Sequence, residues 1–407
     1  MEFRDNPEEA SFRKEVREFI ATEHKSNGDS VASAAQAAST GGAAAMENYK
    51  NWMRKLATRG WVAAAWPKEY GGAGMTIMQQ FIFNEELALA RAPRPGGIGI
   101  TMAGPTIIVY GTDDQKTEHL PPMLSGEATW CQGFSEPGSG SDLASLQTRA
   151  VRDGDDYVVN GQKIWTTGAQ YSDRMILMAR TDPEAPKHKG ISYFLLDMKS
   201  PGVSVRPLVN MAGTPGFNEV FFDNVRVPRK DLLGEENRGW YVGTTTLDFE
   251  RSSIGTSIAQ NQAVEDLVKA VKERLDSPRR APVGAKLGRT HRAELADRFI
   301  EANAARLMSY QVISMQNRGL VPNHEASAVK IYAAELNQRT YNTAIKIFGL
   351  YGQLERGDKG GVTERYAVNK GRFARTYLQA VASTIAGGTS EINRNIIATR
   401  GLGLPRD

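Results

Sequence analysis

A glutamate, Glu250, stands inside an apolar helical pattern in the second half of the chain. It follows Leu247 by three residues and precedes Ile254 by four, which are the spacings of one helix face. That face continues, on one helix, through Ile254, Ile258, Val264, Val268 and Val271. A buried carboxylate without a partner costs several kcal/mol of stability or takes up a proton. Glu250 is therefore either paired with a group from elsewhere in the fold or is a functional acid–base group.

A second pattern places an aromatic ring beside a hydroxyl. The dipeptide Asn160-Gly161 is typical of a two-residue hairpin turn. In a strand that starts at Gln162, the side chains of Trp165 and Thr167 fall on the same face. An indole next to a hydroxyl suits a flat heteroaromatic ligand, whereas the alternative is a core tryptophan beside a surface threonine.

Two glycine- and serine-rich segments offer backbone amides and hydroxyls. The segment 130–142 (WCQGFSEPGSGSD) carries Ser135, Ser139 and Ser141, and its glycines let the backbone approach a ligand. The alternative is a serine-rich linker between domains.

The segment 386–391 (AGGTSE) precedes a helical run, 392–400. Thr389 or Ser390 is a good N-cap for that helix. The free amides of such a helix end can hold an anionic or polar group, although the alternative is an ordinary capped helix.

Composition excludes several classes of protein. The 407 residues include 50 Lys and Arg against 46 Asp and Glu, a net charge of +4 that gives no reason to expect a nucleic-acid partner. One cysteine, Cys131, and five scattered histidines predict no metal site and fit a reducing compartment. Neither GxGxxG after a strand nor GxxxxGK[ST] occurs. The N-terminal residues lack an apolar signal-peptide core, and no run of 18 apolar residues predicts a membrane span, so we expect a cytoplasmic protein.

The elements that must position these residues come in the order helices, strands, helices. We predict an α+β protein with an N-terminal helical domain (1–127), a middle β-barrel or sandwich domain (128–236) and a C-terminal helical domain (237–407). Short β-type runs separated by turn formers mark the middle domain: 157–159, 175–179, 192–196, 203–205 and 219–225.

These features, in this order, resemble the acyl-CoA dehydrogenase family. The resemblance covers nearly the whole chain and includes WPKEYGG (66–72), YGTDDQK (110–116), FSEPGSGSD (134–142), NGQKIWTTG (160–168), EVFFDNVRVP (219–228), LDFER (247–251), IFGLYG (347–352) and GGTSEINRNIIA (387–398). It implies a C-terminal four-helix bundle and an FAD bound between the β-domain and the bundle. It also implies tetramers, α,β-dehydrogenation of an acyl-CoA thioester, and electron-transfer flavoprotein as the electron acceptor.

The resemblance also implies roles for single residues. For FAD these are Phe134 and Ser135 beside the flavin ring, Gly140 and Ser141 near the phosphates, Trp165 flanking the ring, Thr167 near flavin N5, Gly349 and Gly352 toward the adenine half, and Gly388, Thr389 and Glu391 near the phosphates and ribose. For substrate they are Ser141, Asp248, Arg251 and Gly387. Arg280 is assigned to the FAD pyrophosphate of the partner subunit, with Arg279 and Arg292 as alternatives.

The sequence departs from many family members at the catalytic position. Gly387 stands where they carry the glutamate base, and a glycine cannot act as a base. A subset of the family carries that glutamate on a bundle helix, directly before an arginine, and Glu250-Arg251 matches this arrangement. We therefore predict Glu250 as the base that removes the α-proton while hydride passes to flavin N5. Gly387 predicts tolerance of a branched or bulky acyl group.

Two alternatives keep the same fold. One is a flavin-dependent monooxygenase, which needs no glutamate base. The other is a non-catalytic subunit of a hetero-oligomer, suggested by the missing C-terminal glutamate. Homotetramer and heterotetramer both remain open.

Overall fold

The computed structural model describes residues 5–24, 42–251, 255–276, 287–355 and 366–405, without the side chains of 42–46, 248–251 and 255–257. Two compact units make up the chain, one spanning Ser11–Ser253 and the other Met1–Ala10 together with Ile254–Asp407. None of the described helices combines the length and the apolar character that crossing a bilayer requires.

Helices dominate the first part of the first unit. They are α1 (Pro7–Glu23, within this unit from Ser11), α2 (Gly42–Ala57), α3 (Ile77–Leu89), α4 (Gly104–Tyr110) and α5 (Asp113–Ser125). Helices α3 and α5 begin at Thr76 and Thr112, and each threonine forms a capping box with a glutamine three residues later. Aromatic and aliphatic side chains form the core under α1 to α3: Val16, Ile20, Trp52, Leu56, Trp61, Phe83 and Leu87.

A seven-stranded sheet follows. Its strands are β1 (Trp130–Gly133), β2 (Arg149–Asp153), β3 (Asp156–Lys163), β4 (Arg174–Arg180), β5 (Ile191–Asp197), β6 (Val203–Leu208) and β7 (Phe217–Pro228). The order is β1-β4-β2-β3-β7-β6, and β5 pairs with β4. All five β-type runs predicted from the sequence lie within β3 to β7 and are confirmed. Helix α6 (Gly239–Arg251) follows the sheet in the same unit and packs against β5, β4 and α4.

The predicted hairpin turn at Asn160-Gly161 is wrong. Strand β3 continues through both residues and pairs with β7 before and after a bulge between Val159 and Gly161. Gly161 has φ +148°, and a Cβ there would lie 2.7 Å from the Cα of Thr148. The dipeptide thus forms a β-bulge in β3 and allows the backbone to lie close to Thr148. The turn that joins β2 to β3 is at Gly154, which has φ +64°.

The second unit is helical. Its helices are α7 (Gly255–Leu275), α8 (Arg289–Asn317), α9 (His324–Phe348), α10 (Arg372–Ala380) and α11 (Ser390–Ile396), with a 3-10 turn at Gly349–Gln353 and a π-helical turn at Ile397–Gly401. Helix α9 packs against α7, α8, α10 and α11. Fully or nearly fully buried side chains join α7, α9 and α10: Leu267, Val271, Tyr341, Ala344, Phe348 and Phe373.

The apolar stripe predicted for 247–271 is described in part, on α6 and on α7. Leu247 on α6 packs against the core shared by α4, α5 and the sheet. Val264 and Val271 on α7 lie in cores of the second unit. Ile254, which follows Leu247 in the pattern, lies outside the described residues. The described ends of the stripe therefore pack in different cores.

Candidate functional site

The segment after β1 turns sharply before it reaches its exposed residues. Phe134 is buried, and its ring meets that of Tyr193 edge to face at 5.8 Å. Glu136 and Ser139 exchange backbone hydrogen bonds of 2.9 and 3.0 Å, which closes the turn. The Ser139 hydroxyl points inward and donates to the carbonyl of Asp142 at 2.9 Å, so Ser139 does not offer its hydroxyl to a ligand. Further along this segment, Gly140 and Ser141 are exposed.

A buried ion pair supports this segment, and the sequence analysis missed it. The Lys163 ammonium is fully buried and donates to the Phe134 carbonyl at 2.9 Å and to Glu136 Oε1 at 2.7 Å. Glu136 also accepts from the backbone amides of Gln147 at 2.6 Å and Thr148 at 2.9 Å. Burial lowers the pKa of Lys163 to about 8, although Glu136 opposes that shift. Glu136 and Lys163 stand inside the quoted motifs FSEPGSGSD and NGQKIWTTG, and one residue of each charge in two otherwise nearly uncharged motifs was the available signal.

The backbone around Trp165 is irregular rather than extended. Strand β3 ends at Lys163, and Trp165 has φ +59° with 60% of its surface exposed. The predicted shared strand face of Trp165 and Thr167 is therefore wrong, yet both side chains are exposed. The Ile164 amide donates to the Ser135 carbonyl at 2.9 Å. This bond brings the segment of Trp165 beside that of Phe134 and Ser135.

Glu250, Asp248 and Arg251 lie on α6, near its end. Their side chains lie outside the described part of the chain, and so does the whole of Arg280, together with Arg279. Arg292 is exposed near the start of α8. The roles assigned to these residues stay predictions.

In the second unit, two glycines precede a capped helix. Gly387 and Gly388 have φ values of +64° and +85°, a backbone region that favours glycine. Thr389 caps α11, because its Oγ1 accepts from the Ile392 amide at 3.1 Å, which confirms the predicted cap. The cap uses one amide of the helix end, and Asn393 Nδ2 donates to the Gly388 carbonyl at 3.0 Å.

Thr389 and Glu391 also line an open cavity of about 530 Å³. Most of its other lining residues are polar or charged: Glu335, Gln338, Arg339, Thr384, Ser390 and Arg394, together with Ile385. Gly349 and Gly352 lie apart from this lining, in the turn after α9. Gly349 ends that helix with φ +55° and is exposed, while Gly352 is buried against Phe348.

One group of titratable side chains in the first unit has spacing that a metal ion could use. Ligand atoms of Glu118, His119 and Asp231 lie within 4.8 Å of one another. The Glu118 carboxylate already pairs with Lys230 at 3.2 Å and with Arg174 at 3.5 Å. Burial lowers the pKa of His119 to about 4 and raises that of Asp231 to about 6. These ion pairs balance the charge of Glu118 without a metal.

Comparison with known proteins identifies the family. Models of the N-terminal, middle and C-terminal domains of acyl-CoA dehydrogenases match residues 6–127, 131–225 and 237–402. The chain belongs to the acyl-CoA dehydrogenase family. It is accordingly an oxidoreductase that acts on acyl-CoA, and its helix–sheet–helix architecture is that of the family.

Named relatives and solved structures agree. Acyl-CoA dehydrogenase FadE26 of Mycobacterium tuberculosis is 36% identical over 98% of each chain. The structure described as the Tcur3481-Tcur3483 steroid ACAD has a TM-score of 0.84 at 32% identity, covering 100% of both chains. The ChsE4-ChsE5 complex of M. tuberculosis has a TM-score of 0.81 at 34% identity, again with full coverage of both chains.

Members of this family generally use FAD, and each unit offers groups that fit part of it. In the first unit the exposed Trp165 indole, the Thr167 hydroxyl and the segment of Ser135 suit a flat ring with polar edges. In the second, the backbone at Gly387 and Gly388 and the polar cavity at Thr389 suit hydroxyls and phosphates. The residues present therefore fit the cofactor.

Proposed function

We propose that this acyl-CoA dehydrogenase oxidises its substrate to the trans-2-enoyl-CoA, with Glu250 as the catalytic base. The observation that supports this most is the register of α6. Gly239, Gly243 and Thr246 form one row on the helix, and each packs against β4 or β5. Glu250 is the next position of that row, four residues after Thr246. By this spacing Glu250 falls on the same side of α6 as the row that packs on β4 and β5, and β5 also supports Phe134 through Tyr193.

The chemistry needs a base and a polarised thioester. The α-proton of a thioester is far less acidic than a carboxylic acid, so the carbonyl oxygen must be stabilised as charge develops on it. We assign that role to the amide of Gly387 or Gly388. Glu250 removes the α-proton, a step for which a general base works best when its pKa lies near the working pH. Asp248, Arg251 and Ser141 would line the path of the CoA chain.

FAD, when bound, accepts the hydride that leaves the β-carbon. We assign its ring to Phe134, Ser135, Trp165 and Thr167, and its phosphates, ribose and adenine to Gly140, Ser141, Gly349, Gly352, Gly388, Thr389 and Glu391, with Arg280 from a partner subunit. Electron-transfer flavoprotein would then reoxidise the enzyme. A reducing compartment, the cytoplasm, suits the single buried cysteine, Cys131.

We propose a bulky or branched acyl group as the substrate class. Gly387 supplies no side chain, and so leaves room where many relatives carry a glutamate. A protein of similar structure is described as a steroid ACAD, which supports the same class. Two of the similar structures are described by pairs of proteins, Tcur3481-Tcur3483 and ChsE4-ChsE5, so a heterotetramer is as consistent with our proposal as a homotetramer.

The test is an anaerobic titration of the FAD-loaded protein, followed by flavin absorbance. The acyl-CoA panel runs from short straight chains through isobutyryl- and isovaleryl-CoA to a steroid side-chain thioester. We expect bleaching by the bulky members and none with Glu250→Gln, which retains shape but cannot take a proton. Bleaching of Glu250→Gln at the wild-type rate would refute the base. Dithionite serves as the control that the bound flavin can be reduced. If dithionite bleaches the wild-type flavin and no acyl-CoA does, dehydrogenation by this chain alone is refuted, and a monooxygenase or a non-catalytic subunit is favoured.

A further inference from the structure

A closed set of buried hydroxyls holds α6 in place. Thr246 is fully buried, and its Oγ1 lies 2.9 Å from Thr106 Oγ1 on α4 and 3.2 Å from the Tyr193 hydroxyl on β5. Thr246 also reaches the Val242 carbonyl at 3.0 Å, and Thr106 reaches the Met102 carbonyl at 2.8 Å. One side chain of α6 is therefore bonded to both neighbouring elements.

Three hydroxyl protons serve the four contacts of this set. Burial raises the pKa of Tyr193, so its hydroxyl stays protonated and can donate to Thr246. Thr106 donates to the Met102 carbonyl, and Thr246 donates to Val242 or to Thr106. Every hydroxyl has a partner, and threonines bonded to the preceding turn have few alternative rotamers. The side chains of this set are therefore held in place with either acceptor for the Thr246 proton.

Neighbouring contacts restrict α6 in the same sense. The hydroxyls of Thr245 and Tyr110 lie 2.8 Å apart, a second link to α4. A Cβ on Gly243 would lie 2.7 Å from the sulfur of Met178 on β4. The helix is therefore seated too closely on the sheet to turn freely about its axis while the hydroxyl bonds hold.

We propose that Thr246 is a positioning residue for Glu250, an inference that rests on the proposed function. The two residues are four apart, so they lie one helical turn from each other on the same face. In the row formed by Gly239, Gly243 and Thr246, Thr246 is the residue nearest to Glu250 whose side chain the structure describes in contact with the sheet. The hydroxyl set thus fixes the rotation of α6 at the turn that carries Glu250.

Replacing the hydroxyl should act on the chemical step. Thr246→Val keeps the shape of the side chain but removes the hydroxyl that bonds α6 to Tyr193 on β5 and to Thr106 on α4, so the position of α6 is less restricted. Since a misplacement of about 1 Å can cost roughly a hundredfold in rate, we expect kcat to fall by about 10- to 100-fold. Thr246→Ser keeps the hydroxyl and should restore most of the rate. Thr244→Val is the matched control, because among the described residues the Thr244 hydroxyl bonds to the Tyr241 carbonyl of its own helix, at 2.9 Å.

The measurements use the FAD-loaded enzyme and the panel member that bleaches wild-type flavin. In Thr246→Val we expect an unchanged FAD content and KM, a lower kcat, and a larger isotope effect with α-deuterated substrate. The pH profile of kcat/KM should also shift on its acidic limb, since a displaced base meets a different environment. A purely structural role would change FAD content or stability and leave the isotope effect and this limb alone.

The outcomes separate the two proposals. The positioning role of Thr246 would be overturned if Thr246→Val had the kcat, isotope effect and pH profile of the wild type. The assignment of Glu250 as the base would survive that result if Glu250→Gln were inactive. Full activity of Glu250→Gln would overturn both. If Thr246→Val does not hold FAD, Tyr193→Phe decides, because it removes one partner hydroxyl and leaves Thr246 bonded to Thr106. A loss of at least about threefold in kcat supports the inference, and wild-type kcat refutes it.

Discussion

The buried ion pair of Lys163 and Glu136 should determine the stability of the first unit. The Lys163 side chain is 0% exposed and that of Glu136 is 7% exposed, so solvent cannot replace either partner. Lys163→Met leaves the Glu136 carboxylate with only the amides of Gln147 and Thr148, and leaves the Phe134 carbonyl without the ammonium. Removing one partner of a buried pair costs about 3–5 kcal/mol.

That cost predicts a large thermal shift. A unit of the size of Ser11–Ser253 loses roughly 2–4 °C of Tm per kcal/mol, so Lys163→Met should lower its Tm by about 6–20 °C. The matched control is Lys199→Met, which breaks an ion pair with Asp173 whose lysine is 79% exposed. An exposed pair contributes at most about 1 kcal/mol, which limits the control to a shift below about 4 °C.

The assay is differential scanning calorimetry of both variants, with the FAD content of each measured by absorbance. We expect Lys163→Met to hold less FAD, because the Phe134 carbonyl that Lys163 supports belongs to the proposed flavin-binding segment. Adding Glu136→Gln removes the uncompensated charge, so the double variant should recover part of the lost Tm. Equal Tm shifts in Lys163→Met and Lys199→Met would refute the reasoning.

The remaining predictions concern His119, Asp231, Cys131 and Gly243. The folded pKa of His119 is lowered to about 4, so between pH 6.5 and pH 4 the unfolded chain binds the His119 proton first and the free energy of unfolding falls as pH falls. The folded pKa of Asp231 is raised to about 6, so the folded chain binds the Asp231 proton first and this offsets the loss from His119. Asp231→Asn should therefore lose about 3 kcal/mol over that window in urea unfolding, and a slope equal to that of wild type would contradict this. Burial raises the pKa of the Cys131 thiol to about 12, so it should react with a disulfide reagent only after denaturation, and rapid native labelling would disprove its burial. Gly243→Ala would bring a Cβ 2.7 Å from a buried methionine sulfur and should cost about 1–3 kcal/mol by thermal unfolding, whereas Gly138→Ala, with open space around it, should cost nothing measurable.

Local patterns were reliable where one stretch of chain decides its own structure. The β-type runs at 175–179 and 192–196 became β4 and β5, since apolar residues of that length and spacing bury well in a sheet. Thr389 caps its helix because the cap depends only on an amide three residues away. The family was also evident, because an ordered set of motifs along the whole chain is far more specific than any one motif.

Patterns failed where a distant strand or helix competes with the local preference. Asn160-Gly161 has strong turn propensity, but pairing of β3 with β7 on both sides makes it a bulge. The apolar spacing from Leu247 to Val271 predicted burial, and Leu247 packs against one core while Val271 lies in another. Periodicity reports that a residue is buried and cannot report against what.

The order of the elements, the strands of the sheet, the family and the cap at Thr389 all followed from residue types and short spacings. Only the tertiary structure brought Lys163 to Glu136, 27 residues away, and Thr246 to Thr106, 140 residues away. It also held Trp165 at φ +59° with its ring exposed. The physical reason is the same in each case: such contacts are chosen by packing and hydrogen-bond balance over the whole unit, and neighbours within one helical turn or one strand carry no information about them.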